Sequence, residues 1–202
     1  MQPFVTVSGR AAPMLGSNID TDVIMPKQFL KGIDRNGLDR GLFFDLRFLE
    51  SGAPNPDFVL NREGWQDAAF LVVGPNFGCG SSREHAVWGL KQVGIRALIG
   101  TSFAGIFYDN CQRNGVLLIQ LGEDDLQRLG EMVGDAQRSQ ISVDLQQQRI
   151  GLADGTQIAF DIDPLRKDAL LQGLDAIGST LQRAEQIRQF EQRHLQANPW
   201  LA

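Results

Sequence analysis

Residues 68–119 read AAFLVVGPNFGCGSSREHAVWGLKQVGIRALIGTSFAGIFYDNCQRNGVLLI. Ala68 to Val73 is a continuous apolar run, followed by a turn through Gly78 and Gly80 and a helical stretch, Arg83 to Val93, with Ala86, Leu90 and Val93 on one stripe. Ile95 to Gly100 is a second apolar run. Phe103 to Arg113 is a second helix with Phe103, Ile106, Phe107 and Cys111 near one face, and Val116 to Ile119 is a third strand. Strands joined by helices through short connections imply right-handed crossovers and a parallel sheet. Strands that are apolar without alternation belong to a sheet covered on both faces. The expectation is an α/β fold with a parallel βαβαβ core.

Outside this block the pattern changes. Phe4 to Val7 reads as a short strand ended by a Gly/Pro-rich stretch, and Pro26 to Pro56 as irregular or short-helical chain, part of it a loop. Asp125 to Ala136 is a helix with Leu126, Leu129 and Val133 inward. Ile141 to Leu145, Arg149 to Leu152 and Gln157 to Ile162 are short strands, the last two joined by Asp154-Gly155, a hairpin signal. Pro164 to Leu174 is helical. Leu181 to Leu195 is a final helix whose sparse apolar positions put it on the surface or against a partner. The reading is therefore a single domain over residues 1–202, antiparallel strands beside the parallel core, with a C-terminal helical extension from about residue 164.

The 202 residues carry a net charge of −5, which speaks against a nucleic-acid module, whose footprint is a basic patch. It leaves room for a small anionic substrate held by a few arginines. Two cysteines, Cys79 and Cys111, are too few for a secreted disulfide framework and lack metal-site spacing. No apolar run nears the roughly 20 residues that span a bilayer, and Met1-Gln2-Pro3 does not open a signal peptide. A reducing cytoplasm fits.

The segment Phe77-Gly78-Cys79-Gly80-Ser81-Ser82-Arg83-Glu84-His85 carries the chemistry. After a buried strand, Gly78 and Gly80 allow a tight turn and room for a ligand. The free N–H groups at the start of the following helix, the forked guanidinium of Arg83, and the hydroxyls of Ser81 and Ser82 make a cradle for a carboxylate. A second reading stands beside it: Ser81-Ser82-Arg83-Glu84 is also a Ser-x-x-Glu capping box, in which Ser81 merely caps the helix. The glycine spacing is not a dinucleotide fingerprint, because it fails at Arg83, and no Walker A loop or nucleophile elbow is present. His85 is a structural histidine or an orienting group. Cys79 is packing rather than a nucleophile, and Cys111 is core. Asp20 and Asp22, flanking Thr21, hold a loop or orient a catalytic group. Lys27, Lys31 and Arg35 are solvated unless their loop folds over the turn, in which case one binds a second carboxylate. Arg166 and Lys167 carry a weaker form of the same case.

Further motifs extend the picture: Asn18-Ile19-Asp20-Thr21-Asp22, Ile24-Met25-Pro26-Lys27-Gln28-Phe29-Leu30, Pro54-Asn55-Pro56-Asp57-Phe58-Val59-Leu60-Asn61, Ser102-Phe103-Ala104, Ile106-Phe107-Tyr108, and Gly173-Leu174-Asp175-Ala176-Ile177-Gly178. With the glycine–serine–arginine turn, they make the chain resemble, over essentially its whole length, the small-subunit family of 3-isopropylmalate dehydratase in the aconitase superfamily. The resemblance implies a swivel domain of β/β/α type that closes over a large subunit. It implies that cysteines of the large subunit hold a [4Fe–4S] cluster whose open iron binds substrate carboxylate and hydroxyl, so this chain binds no cofactor and Cys79 and Cys111 are not cluster ligands. It implies Ser81 as catalytic base, Ser82 and Arg83 as carboxylate binders, and Asp20, Thr21 and Asp22 as braces of the site loop. A specificity loop follows, from which Lys31 or Arg35 reads a carboxylate and Ile33 and Leu38 supply an apolar patch. The implied activity is isomerisation of 2- and 3-isopropylmalate by dehydration and rehydration in leucine biosynthesis. A homoaconitate or methyl-substituted malate analogue is the alternative substrate. A non-catalytic anion- or protein-binding module and a standalone cysteine enzyme are the competing classes.

Overall fold

The computed structural model describes residues 1–31 and 35–201. Among them, seven strands form one mixed sheet: β1 (Thr6–Met14), β2 (Phe70–Val73), β3 (Ala97–Gly100), β4 (Leu117–Gln120), β5 (Gln140–Asp144), β6 (Arg149–Gly151) and β7 (Gln157–Ala159), in the order β4-β3-β2-β1-β5-β6-β7. The first four are mutually parallel, and β5, β6 and β7 continue the sheet antiparallel from β1. The helices are α1 (Thr21–Ile24), α2 (Phe44–Arg47), α3 (Glu84–Gln92), α4 (Gly105–Asn114), α5 (Glu123–Val133), α6 (Pro164–Gln172), α7 (Ala176–Leu181) and α8 (Ala184–Ala197). The parallel βαβαβ core, the antiparallel strands and the C-terminal helices are those read from the sequence.

Alternation along the parallel strands splits the core in two. Leu71 and Val73 of β2 face one apolar cluster, with Val87 and Leu90 of α3 and Phe107 and Cys111 of α4. Phe70 and Val72 face the other, with Leu126, Leu129, Met132 and Val133 of α5 and Leu170 of α6. All four residues of β2 are buried, each side chain contributing about 1.5–3 kcal/mol. In the antiparallel half, Ile141, Val143, Ile150 and Ile158 face only the second cluster, while Arg149 and Gln157 are exposed. One side of that half therefore meets water, as an antiparallel sheet permits.

The first strand departs from expectation. It does not stop at Val7 but runs to Met14, changing partner on the way. Thr6 to Arg10 pair with β5, and Ala11 to Met14 pair with β2. Gly9 sits where an added Cβ would lie 2.6 Å from Cβ of Ala69, so the glycine marks a close approach and not a break. Pro13 pairs with Val72 beyond the end of β5, where the missing N–H costs no ladder bond.

Three smaller corrections follow. Ile106 is 59% exposed instead of joining the core face of its helix. Leu38 is 5% exposed and belongs to the first core cluster. The final helix starts at Ala184 as α8 and is preceded by an additional short helix, α7, and neither buries a residue. Asp154-Gly155 forms the expected hairpin, with Gly155 at φ 83°.

Cys111 lies fully buried in the first cluster, and burial pushes its thiol well above the ordinary value of 9.0, whereas Cys79 is half-buried. A group protonated more tightly in the folded state stabilises fully below the unfolded value, and that contribution is lost as pH rises past it. Denaturation midpoints should therefore fall above pH 9.0, and Cys111→Ala should flatten that fall. An aromatic disulfide reagent should titrate Cys79 in the native chain and Cys111 only on unfolding. Two thiols reacting at the same rate would refute the burial argument.

Candidate active site

Because β1, β2 and β3 are parallel, their C-terminal ends open on one edge, where ligands of open α/β sheets bind. The three loops leaving that edge are laced together. After β2, Gly74 passes so close to the loop after β1 that a Cβ would lie 2.4 Å from the carbonyl oxygens of Leu15 and Gly16. The Asn18 N–H donates to Pro75 O (2.9 Å), Gly78 N–H to Ile19 O (2.8 Å) and Thr21 N–H to Cys79 O (2.9 Å). From the loop after β3, Ser102 Oγ accepts from Asn76 N–H (2.9 Å), and the Ala104 N–H donates to Phe77 O (3.1 Å).

Asp20, Thr21 and Asp22 each have a different task. Asp20 caps α1, accepting from Val23 N–H at 2.8 Å. Thr21 is buried and donates its hydroxyl to Ser81 O at 2.6 Å. Asp22 pairs with Arg83 at 2.5 Å, and the same Nη1 donates to Met25 O at 3.2 Å. Arg83 is thus held by one corner of its guanidinium, with its side chain 15% exposed, and a guanidinium carries five N–H donors in a fixed fork.

Gly78 and Gly80 have φ 76° and 86°, the left-handed region that favours glycine. At Gly78 a Cβ would also meet the Phe107 ring at 2.2 Å. The turn leaves Ser81 and Ser82 exposed. They line a cavity of about 150 Å³ with Thr21, Gly80, Arg83 and the start of α4 at Ala104, Gly105 and Ile106.

The capping-box reading of Ser81 is not realised. The helix starts at Glu84 with Arg83 at its N-cap and no side-chain cap. Glu84 turns away, accepting from Asn114 Nδ2 at 2.7 Å. The cavity beside Ser81 is also lined by the first residues of α4, a helix that lacks a side-chain cap and whose first amides have no intrahelical partner. The sequence pattern assigns the anion-binding end to the helix after Arg83 and misses Gly105 and Ile106. The available signal is that both helices follow parallel strands and so begin on the same edge.

The remaining candidates lie apart from the serines. His85 packs on Trp88, ring centroids 4.7 Å apart. The Arg35 guanidinium lies over the same Trp88 ring at 4.4 Å. After burial, Arg35 and then Arg96 lower the Lys91 pKa. Lys31 is exposed, and Ile33 lies outside the described residues. Leu38, being core, cannot offer an apolar patch to a substrate. Arg166 pairs with Asp109 at 3.2 Å and stacks on Tyr108, and Lys167 donates to Gln146 O, so both fasten α6 to its neighbours. Among the described residues, no group of three or more His, Cys, Asp or Glu is arranged to hold a metal ion, and no helix is long and apolar enough to cross a membrane.

Residues 1–124 match the family model described as the Aconitase C-terminal domain, and residues 133–164 that described as LeuD_N. Residues 177–202 match the model for the C-terminal domain of the 3-isopropylmalate dehydratase small subunit. The chain is 60% identical to 3-isopropylmalate dehydratase small subunit 1 of Mannheimia succiniciproducens, over 100% of this chain and 99% of that one. It is 59% identical to small subunit 2 of Salmonella typhimurium, over 100% and 96%. The crystal structure of 3-isopropylmalate dehydratase from Methanocaldococcus jannaschii superposes with a TM-score of 0.67 at 26% identity, over 92% of this chain and 99% of that one.

Thr21→Val removes the hydroxyl donor that α1 sends to the Ser81 carbonyl and should cost about 1–3 kcal/mol, read as a fall in the urea midpoint. Thr21→Ser should recover most of it. Equal midpoints for wild type and Thr21→Val would show that this bond does not hold the loop.

Proposed function

The chain belongs to the family of 3-isopropylmalate dehydratase small subunits, and on that premise we propose that it serves as such a subunit in leucine biosynthesis, with Ser81 as the base that moves the substrate proton. The observation that carries the assignment of Ser81 is its exposed position at the mouth of a cavity it shares with Arg83, with no capping role to explain it.

In this reading the Ser81 alkoxide takes the C–H proton of the malate and becomes a hydroxyl, the C–H electron pair forms a double bond to the neighbouring carbon, and the C–O pair of that carbon leaves with its oxygen as hydroxide into the part of the site that the large subunit completes. Addition in the opposite sense returns the proton and a hydroxyl to exchanged carbons. A serine hydroxyl is a very weak acid, so its anion needs fixed dipoles and cations in a closed site. Arg83, anchored through Asp22, and the first amides of α4 supply them from this chain, and Ser82 with the rest of the Arg83 fork binds a substrate carboxylate. The Thr21–Ser81 bond keeps the loop from following the proton it transfers.

The described residues of this chain do not fit an iron–sulfur cluster: Cys111 is buried in the core and Cys79 stands without companions of a ligand set. The [4Fe–4S] cluster belongs to the large subunit in this proposal, and the small subunit supplies the proton transfer and the carboxylate clamp. We place the pair in the cytoplasm, with residues 1–202 acting as one swivel domain extended by helices from about residue 164. The loop around Lys31 and Arg35 shapes specificity, and the motifs leave a homoaconitate-like or methyl-substituted malate as the second substrate reading.

Mixed anaerobically with a cluster-loaded large subunit, this chain should restore isopropylmalate turnover, and each chain alone should give none. Turnover by the isolated chain would overturn the division of labour. The Ser81→Ala complex should still bind substrate while kcat falls by about 10²–10⁴; unchanged kcat would remove Ser81 from the role of base. A panel of substituted malates assayed on the same complex separates the two substrate readings.

A further inference from the structure

A malate bound as proposed above carries its alkyl branch on one of the two carbons that exchange hydrogen and hydroxyl. In both directions of the reaction, the branch therefore stays within a bond or two of the carbon that Ser81 touches. Apolar surface has to meet it there. Of the two residues expected in that role from the sequence, Leu38 is core and Ile33 lies outside the described residues.

The cavity beside Ser81 is lined by two unlike sets of residues. Ser81, Ser82 and Arg83 bring hydroxyls and a guanidinium from the loop after β2, and a second set comes from the start of α4. In that second set Phe107 is buried against Gly78 and Ala104 is half-buried, whereas Ile106 is 59% exposed. Ile106 belongs to neither core cluster. A lone apolar residue on open surface needs no explanation, but this one lines the pocket that holds the serines. A cavity of about 150 Å³ takes a benzene-sized group, so a ligand that fills it touches both sets of residues together.

Gly105 supplies a second observation. It is exposed, its φ lies outside the left-handed region, and an added Cβ would meet nothing within 4 Å. Neither backbone conformation nor packing within this chain asks for glycine there, although glycine in a helix is less stable than alanine. Its bare backbone leaves room next to Ile106 in the lining of the cavity.

We propose that Ile106 is a specificity-determining residue for the alkyl branch of the substrate. Its side chain, with the space over Gly105, forms the apolar wall on which the isopropyl group packs while Ser82 and Arg83 hold a carboxylate. This rests on the reading of the cavity as the substrate site and adds the part of the substrate that α4 reads.

The test compares isopropylmalate with a methyl-substituted malate on the complex with the cluster-loaded large subunit. Where the smaller malate is not turned over, its inhibition constant stands in for its KM. A methylene in an apolar pocket is worth about tenfold or more in discrimination. Ile106→Ala should therefore lower the preference for isopropylmalate over the methyl analogue by about tenfold, and Ile106→Val should lower it less. The Ile106→Ala chain should melt with the wild type, because the side chain lies outside both core clusters. An unmoved preference in Ile106→Ala would overturn the proposal. So would an equal fall on both substrates together with weaker assembly, which would make Ile106 a contact for the large subunit. Full turnover by Ser81→Ala would instead remove the cavity from the reaction, an outcome separate from either result at Ile106.

Discussion

Everything at the open edge of the sheet depends on one short piece of chain running beside another. Residues 18–21 follow the loop after β2 from Pro75 to Ser81, paired by backbone bonds and closed by the Thr21 hydroxyl on the Ser81 carbonyl. A loop with two glycines in left-handed conformation has no stiffness of its own. Its shape is imposed from outside, by residues 18–21 on one side and the loop after β3 on the other. The four-residue helix α1 also delivers Asp22 to Arg83, so the segment that steadies the loop anchors its charge as well.

That arrangement also suits the anion proposed above to an acidic chain. Arg83 is not left as a loose positive charge. One corner of its fork is ion-paired with Asp22 and hydrogen-bonded to the Met25 carbonyl, which anchors the guanidinium through Nη1. Specificity in such a site comes from direction more than from net charge, and a net charge of −5 over the whole chain is no obstacle.

The parallel core is legible in the sequence because its strands are apolar without alternation and its helices carry stripes, and short-range pattern suffices for both. Elements whose identity depends on distant partners are less legible. Gly9 and Pro13 look like strand breakers until Ala69 and the end of β5 are placed beside them. The capping box at Ser81 matches in spacing, but Glu84 finds Asn114, thirty residues away, and the helix begins two residues later than a Ser81 cap requires. At the candidate site, Asp20, Thr21, Asp22, Ser81, Ser82 and Arg83 all stand out in the sequence and are gathered in one place, whereas the contribution of α4 needs the knowledge that two loops share an edge. Leu38 reads as a loop residue offered to a substrate, and it packs in the first core cluster instead, with its carbonyl close against Gly89 of α3.

The partner change in the middle of β1 has a bearing on how the chain reaches its fold. Its second half waits for β2, whose first residue is Phe70, and its first half waits for β5, which starts at Gln140. During synthesis the first half of the opening strand emerges early and waits for β5 while more than half of the polypeptide is made. Pairings of such long sequence separation are slow to close, and an apolar strand with two bare edges is vulnerable to association in the interval. The alternation of exposed residues along Thr6 to Arg10, with Arg10 at its end, blunts that hazard over the half that remains single the longest.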